Sequence, residues 1–184
     1  MQKLVISILG RDCPGIVAAV SKVLFDSGCN VEDVTQTRLQ SEFASIFIIS
    51  MPEGISPDDL HGSMNGALEP LGLQVSMRPL ENQGLPADAE PYEPFVITTT
   101  GPDRLGLVSG VTEVMALFRV NITNLKALFR GGEDPSKNTM IYEVEIPAGM
   151  EQDSFREALF RRAEELGLDL SIQHREIFEA INRI

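Results

Sequence analysis

The fold is set by two short stretches, GRDCPGIV at residues 10–17 and GPDRLGLV at residues 101–108, which match each other after a shift of 91 residues. The same shift pairs Asn30 with Asn121. Each stretch follows an apolar run and precedes apolar residues at helical spacing, so each predicts a glycine turn between a strand and a helix. The chain is therefore a tandem repeat of one structural unit.

The repeat continues to the end of each copy with a small change of spacing. The shift becomes 95 beyond the middle of each copy, where LGL at residues 71–73 matches LGL at residues 166–168. The change from 91 to 95 predicts a four-residue insertion in the second copy, and we place it in the polar segment 131–137. Gly72 and Gly167 stand at the positions expected for helix C-caps.

Both copies have the same order of predicted elements, which is strand, helix, strand, strand, helix, strand. This order predicts an α+β fold of two ferredoxin-like βαββαβ domains, each with its helices on one face of an antiparallel sheet. A short terminal helix is expected near the end of the chain. The predicted segments are strands 3–9, 31–39, 43–51 and 73–77 with helix 57–71 in the first copy, and strands 95–100, 122–129, 139–146 and 168–172 with terminal helix 177–184 in the second.

The two copies are separated by a segment without an apolar face. Residues 81–94 contain three prolines and four acidic residues, a composition typical of a linker. The predicted organisation is a first domain at 1–80, the linker, and a second domain at 95–184. Domains of about 80 residues are near the lower limit for an independent core, so we expect the two to bury surface against each other.

Composition excludes several classes of function. The 184 residues include 15 Lys and Arg against 27 Asp and Glu, a formal charge of −12, which disfavours direct binding to nucleic acid. No apolar run approaches the roughly 20 residues of a membrane span or has the form of a signal sequence, so a cytoplasmic location is expected. Two cysteines and two histidines give no zinc spacing, and no metal or cofactor is predicted.

The aspartates of the two turns allow two interpretations. Asp12 and Asp103 each precede a helix, where aspartate is a preferred N-cap, and Pro14 is suited to a first helical turn. Alternatively, the free N–H groups of the helix bind a carboxylate while the aspartate faces an ammonium group, which are the two ends of an amino acid. Asn30 and Asn121, which begin the second strand of each copy, are equally explained as turn residues or as ligand contacts.

An enzymatic function is a third, weaker possibility. Cys13 precedes a helix, where a thiol pKa can be lowered, and could act as a nucleophile. No base lies nearby in the sequence, and the second copy has Arg104 at this position. Glycine-rich nucleotide motifs and a serine-nucleophile motif are absent from the sequence. The sequence therefore does not support an enzyme.

The turn residues resemble a known family. DCPGIV at residues 12–17 looks like the Asp/Asn-Arg-Pro-Gly-hydrophobic turn of the ACT domain, a small-molecule regulatory module, and GCNVED at residues 28–33 looks like the start of its second strand. Two such domains filling nearly the whole chain are similar to the family of the glycine cleavage system transcriptional repressor. Cys13 stands where the family commonly has arginine, and Leu105 replaces the proline, so one of the two sites could be degenerate.

The resemblance implies a function and a set of contacts. It implies a regulatory protein that binds a small amino acid, with glycine or serine as first choices, and that acts through a protein partner because no DNA-binding domain is present. A homo-oligomer is also compatible with it. The implied ligand-binding residues are Asp12, Gly15, Ile16 and Asn30 in the first copy and Asp103, Gly106, Leu107 and Asn121 in the second.

Helix geometry adds a constraint on these contacts. Asp12 and Asn30 flank the first helix and are predicted to lie roughly 22 Å apart, too far to share one ligand within a domain. If the copies pair antiparallel through their second strands about a pseudo-two-fold axis, Asp12 approaches Asn121 and Asp103 approaches Asn30. The alternative function is a ligand-free module for protein interaction or dimerisation.

Overall fold

A computed structural model describes residues 2–81, 91–128 and 138–181 of the chain. The chain divides into two compact units, and the boundary between Met1–Gly84 and Leu85–Ile184 lies after Gly84. The predicted linker and the predicted insertion fall for the most part on 82–90 and 129–137, outside the described residues. Each unit is a four-stranded antiparallel sheet with two helices between its strands, which confirms the predicted α+β, βαββαβ fold.

The first unit has the strand order β2-β3-β1-β4. The polypeptide runs through β1 and α1, then through the β2–β3 hairpin, and returns through α2 to β4 at the other edge. A 3₁₀ turn at Glu69–Leu71 follows α2. The bounds are β1 Gln2–Arg11, α1 Ile16–Asp26, β2 Asn30–Leu39, β3 Glu42–Met51, α2 Pro57–Leu68 and β4 Leu73–Pro79.

The second unit repeats this plan with the strand order β6-β7-β5-β8. A short helix follows the last strand and packs against β5 and β8. It begins two residues before the predicted start, and residues 182–184 are outside the described part. The bounds are β5 Tyr92–Gly101, α3 Leu107–Leu117, β6 Asn121–Leu128, β7 Asn138–Pro147, α4 Gln152–Glu165, β8 Asp169–His174 and α5 Arg175–Ile181.

Apolar periodicity explains why these elements form. Strand β1 buries alternate residues, Leu4, Ile6 and Ile8, toward the helices, while α1 buries Ile16, Val20 and Leu24 along one stripe. Period two in the strand and a period of three to four in the helix bring both apolar faces together. The second unit builds its core in the same way around the fully buried Ile97, Val111, Tyr142, Phe155 and Leu159.

Several predicted boundaries are corrected by the strand pairing. Strand β1 runs on to Arg11 because Gly10 and Arg11 still pair with β3. Strand β5 begins at Tyr92, three residues before the predicted start, because residues 92–94 pair with β7 although they include a proline. Pairing also confirms the change of spacing, since Thr37 pairs with Ala44 in the first unit and Leu128 with Thr139 in the second.

Both edge strands β2 and β6 carry an irregularity at the same place. The register with the neighbouring strand shifts between Val31 and Asp33 in β2, and between Ile122 and Asn124 in β6. Each strand therefore contains one extra residue, the signature of a β-bulge. From Asp33 onward, β2 pairs regularly with β3 up to the hairpin.

Candidate functional site

The turn between β1 and α1 differs from the predicted capping arrangement. The N-cap of α1 is Gly15, in a left-handed conformation at φ +98°, and the N-cap of α3 is Gly106 at φ +87°. Asp12 and Asp103 stand three residues earlier, so the interpretation of these aspartates as N-caps is wrong. The reason is that the polypeptide makes a further turn after β1 and needs a glycine with positive φ to enter the helix.

Because Asp12 does not cap α1, its side chain is available for another role. Its backbone N–H donates to the carbonyl of Ser41 in the β2–β3 hairpin, at 2.7 Å, which fixes the turn beside the end of β2. Its carboxylate lies 3.6 Å from Nη1 of Arg38 in β2. The carboxylate is one-third exposed, so water screens this ion pair and its contribution to stability is small. Both charged groups remain accessible to a ligand.

A cavity of about 410 Å³ opens between the start of α1 and the end of β2. Its size is within the range of small-molecule sites. Residues of the β1–α1 turn form its rim, the first turn of α1 forms one wall, and β2 and β3 form the other. The lining residues are Asp12, Cys13, Gly15, Ile16, Val17, Ala18, Gln36, Thr37, Arg38 and Phe43.

The wall formed by α1 supplies backbone donors. The first N–H that bonds within the turn is that of Ala19, which donates to the carbonyl of Gly15 at 2.9 Å. The three preceding N–H groups, at Ile16, Val17 and Ala18, have no carbonyl of the helix to bond, as at every helix N-terminus. Together with the helix dipole they favour a bound carboxylate. The side chain of Ile16 is buried in the core, so only its backbone is available.

The cavity thus combines complementary charges. Arg38 and the helix N-terminus are suited to a carboxylate, and Asp12 is suited to an ammonium group. An α-amino acid carries both groups on one carbon atom. The geometry therefore matches the amino-acid interpretation of the first turn.

The asparagines lie far from these turns within each unit. Asn30 shares a row of the sheet with Ser50 and Lys3, whereas Asp12 directly follows the last residue of β1. Nine residues at about 3.3 Å each separate the two rows, roughly 30 Å in all. In the second unit, Asn121 donates through Nδ2 to Glu145 at 3.1 Å. The structure does not bring Asn30 to the Asp12 turn of its own unit, and the predicted contact across the two copies stays a prediction.

The second turn has a different environment. Arg104 donates from its guanidinium group to the carbonyl of Leu166 at the end of α4, beside Gly167. A Cβ on Gly167 would lie 3.2 Å from Nη2 of Arg104, so this glycine both adopts its φ of +62° and leaves space for the guanidinium group. Leu105 is completely exposed. Arg104 therefore caps a helix C-terminus, where a cation is favourable.

The cysteines and acidic residues show no further site in the described part of the chain. Burial raises the pKa of the Cys29 thiol above its ordinary value, which disfavours the nucleophilic thiolate. Cys13 lines the cavity. No cluster of three or more metal-ligating side chains occurs among residues 2–81, 91–128 and 138–181. Over the same residues, no helix has the length and apolar character needed to cross a bilayer.

Sequence reasoning missed the contribution of β2 to the site. Gln36 and Arg38 lie in the cavity wall, about 25 residues from the turn along the chain and next to it in space. Their neighbourhood depends on the strand order, in which β2 and β1 both flank β3. The sequence held one signal of this contribution. Arg38 is a charged residue in the second predicted strand, whereas the corresponding residue of the second copy, at a shift of 91, is Phe129.

Comparison with known proteins gives a consistent family. The ACT-domain family model matches twice, at residues 2–78 and 93–173. A UPF0237 protein of Methanopyrus kandleri is 37% identical over 76 residues, which are 41% of this chain and 84% of that protein. Another UPF0237 protein, of Methanocaldococcus jannaschii, is 36% identical over 76 residues, covering 41% of this chain and 84% of that protein.

Two solved structures resemble the chain over 94% of its length. A protein of Galdieria sulphuraria is 27% identical, with a TM-score of 0.77, and the match covers 98% of that protein. A proposed glycine cleavage system transcriptional repressor is 22% identical, with a TM-score of 0.63, and the match covers 96% of that protein. At this identity, the second likeness shows the shared fold alone.

Proposed function

Because the chain belongs to the ACT-domain family, we propose that it is a regulatory protein that senses a free amino acid. ACT domains are amino-acid-binding regulatory modules. The observation that carries the proposal is the cavity in which Asp12, Arg38 and the first turn of α1 surround a space of about 410 Å³. Positive groups on the two walls and a carboxylate on the rim are suited to a zwitterion.

In the proposed mode of binding, the two walls hold the carboxylate of the ligand and Asp12 on the rim holds its ammonium group. The ligand carboxylate accepts hydrogen bonds from the N–H groups of Val17 and Ala18 and lies beside Arg38. The ligand ammonium group approaches Asp12, which exchanges part of its exposed ion pair with Arg38 for a contact with the ligand. Gly15 lines the same cavity, and a Cβ added there would meet no atom within 4 Å.

The regulatory output is proposed to pass through a protein partner. A net charge of −12 opposes direct contact with nucleic acid, so control of transcription would require a second protein. The resemblance of the turn residues to the glycine cleavage system repressor family makes glycine and serine the first ligands to test. On this proposal the protein works in the cytoplasm, where free amino acids are metabolised.

Thermal melting and calorimetry with glycine and L-serine test the proposal. At 100 times Kd a ligand adds about 2.7 kcal/mol of stability, which corresponds to about 5–10 °C in Tm for a chain of this size. We expect Asp12→Asn and Arg38→Ala to weaken binding at least tenfold. The control is Lys22→Ala, which removes another exposed ion pair, the one between Lys22 and Asp26 in α1.

Two outcomes would contradict parts of this proposal. If none of the twenty amino acids at millimolar concentration gives heat or a shift in Tm, the sensing function is refuted. If an amino acid binds and Asn121→Ala leaves its affinity unchanged, Asn121 is not a contact, and the same test applies to Asn30. Asp103, Gly106 and Leu107 are tested in the same way through Asp103→Ala.

A second candidate function is supported by strand β2. All ten of its residues are exposed, including the apolar Val31, Val34 and Leu39. A long exposed edge strand is a template for pairing with another chain. A ligand-free module for interaction or dimerisation would form a stable oligomer in sedimentation without binding any amino acid.

A further inference from the structure

The two copies differ in the row of the sheet beside the cavity. In the first unit, Gln36 of β2 pairs with Ser45 of β3. In the second unit the corresponding pair is Ala127 and Met140. Residues that pair directly across two antiparallel strands lie on the same face, with Cβ atoms about 4.5–5.5 Å apart. The first copy therefore has a polar pair where the second copy has an apolar one.

The polar pair is on the face that carries the cavity. Ser45 is 4% exposed and alternates with Phe43 and Phe47, which are buried in the core beneath the helices. Gln36 is exposed and lines the cavity together with Phe43. Gln36 is therefore both a lining residue of the cavity and the direct cross-strand neighbour of Ser45.

The hydroxyl group of Ser45 is a buried polar group whose hydrogen bonding is unsatisfied within the described part of the chain. Its Oγ is buried without a hydrogen-bond partner among the described residues. Leaving a buried hydroxyl group unbonded costs free energy, so a group in this state calls for an explanation. The side chain nearest in the strand pairing that can satisfy it is Gln36, whose carboxamide has both an acceptor and donors.

We propose that Gln36 contacts the side chain of the amino acid bound in the first copy, that Ser45 positions Gln36, and that the pair selects a ligand with a hydrogen-bonding side chain. In the bound state Ser45 Oγ donates to Oε1 of Gln36, which leaves the Nε2 donors for the ligand. The second copy lacks this selection, because it has Ala127 and Met140 in this row, and it binds no amino acid, because Phe129 stands at the sequence position of Arg38. Arg104 of its turn is engaged with the end of α4.

This inference rests on the proposed function, and calorimetry of the full chain tests it with L-serine and L-alanine, which differ by one hydroxyl group. We expect one serine per chain and at least tenfold tighter binding of serine than of alanine. Gln36→Ala should reduce this ratio to below threefold with little change in the affinity for alanine. The matched control is Thr35→Ala, because Thr35 is the exposed neighbour on the opposite face of β2 and should not affect the ratio.

Ser45→Ala separates a positioning role from a structural one. It removes a buried unbonded hydroxyl group, so we expect an unchanged or higher Tm of the free protein together with a reduced ratio of serine to alanine affinity. A residue with only a structural role would alter the Tm and leave the ratio intact. An intact ratio in Gln36→Ala or Ser45→Ala, equal affinities for both ligands in the native protein, or two serines per chain would overturn the inference while leaving amino-acid sensing in place. No binding of any amino acid would refute the proposed function and this inference with it.

Discussion

Glycine-to-alanine substitutions at two exposed positions of the first unit should have opposite effects on stability. Gly15 has a φ of +98°, and a Cβ added there would meet no atom within 4 Å. The change to alanine is therefore opposed by backbone strain alone, about 1–3 kcal/mol for a residue with a side chain in this region. Gly62 is exposed within α2, and its added Cβ is equally free of neighbours. Alanine is favoured over glycine there by about 1 kcal/mol.

The assay is urea denaturation of the full chain, followed by circular dichroism. Gly15→Ala should lower the free energy of unfolding of the first unit by about 1–3 kcal/mol, and Gly62→Ala should raise it by about 1 kcal/mol. Gly15→Asn should cost less than Gly15→Ala, because asparagine tolerates the left-handed region better. Equal or higher stability of Gly15→Ala would refute the left-handed entry into α1, and with it the correction of the Asp12 cap.

Three further predictions concern packing, thiol chemistry and charge. Gly101→Ala should lower stability by about 1–3 kcal/mol in thermal melts, because its Cβ would lie 2.7 Å from Leu168 Cδ2 and 3.0 Å from the carbonyl oxygen of Gly167; an unchanged Tm would argue against this close packing. At pH 9, iodoacetamide should alkylate Cys29 more slowly in the folded protein than in urea, as read by peptide mass spectrometry, since burial raises its pKa above 9.0 in the folded state alone; equal rates would contradict the burial. Gel-shift experiments at physiological salt should show no tight duplex binding by this acidic chain alone, and a salt-resistant, sequence-dependent shift would disprove that expectation.

The raised pKa of Cys29 also fixes the sign of its effect on stability. The unfolded thiol loses its proton near the ordinary value of 9.0, while the folded thiol keeps its proton to higher pH. The contribution of this residue is therefore fully present below pH 9 and is lost as the pH rises through the folded-state pKa. The same direction applies to Tyr142, where burial raises the pKa above 10.0 against a smaller, opposing hydrogen bond with Thr99.

The order of elements could be predicted from the sequence because it depends on local periodicity. Apolar residues alternate in β1 and recur every three or four positions in α1, and these patterns need no knowledge of distant residues. The internal repeat strengthened each assignment by showing it twice. Boundaries were less accurate at β5, where Pro94 suggested a linker although the strand accommodates it.

The candidate site could be predicted only in part. The turn was found from its glycines, but the role of Asp12 depended on whether the helix begins at residue 13 or at residue 16, and capping preferences alone do not distinguish these starts. The contribution of Gln36 and Arg38 depends on strand order, which is a non-local property. Ser45 gave no signal at all, since a small polar residue in an apolar strand has meaning only once its burial and its cross-strand neighbour are known.

The bulge in β2 determines which residues of the strand face the cavity. Side chains alternate between the two faces of a strand, so one extra residue reverses the phase of everything that follows it. The alternation of side chains in β2 changes at the bulge, between Val31 and Asp33. As a result, Gln36 and Arg38 lie on the same face of the sheet as Phe43, the face that packs against the helices. The second unit carries its bulge at the same place although its hairpin connection is four residues longer. The phase reversal therefore occurs near the start of the strand, and the length of the hairpin can vary without changing which side chains face the helices.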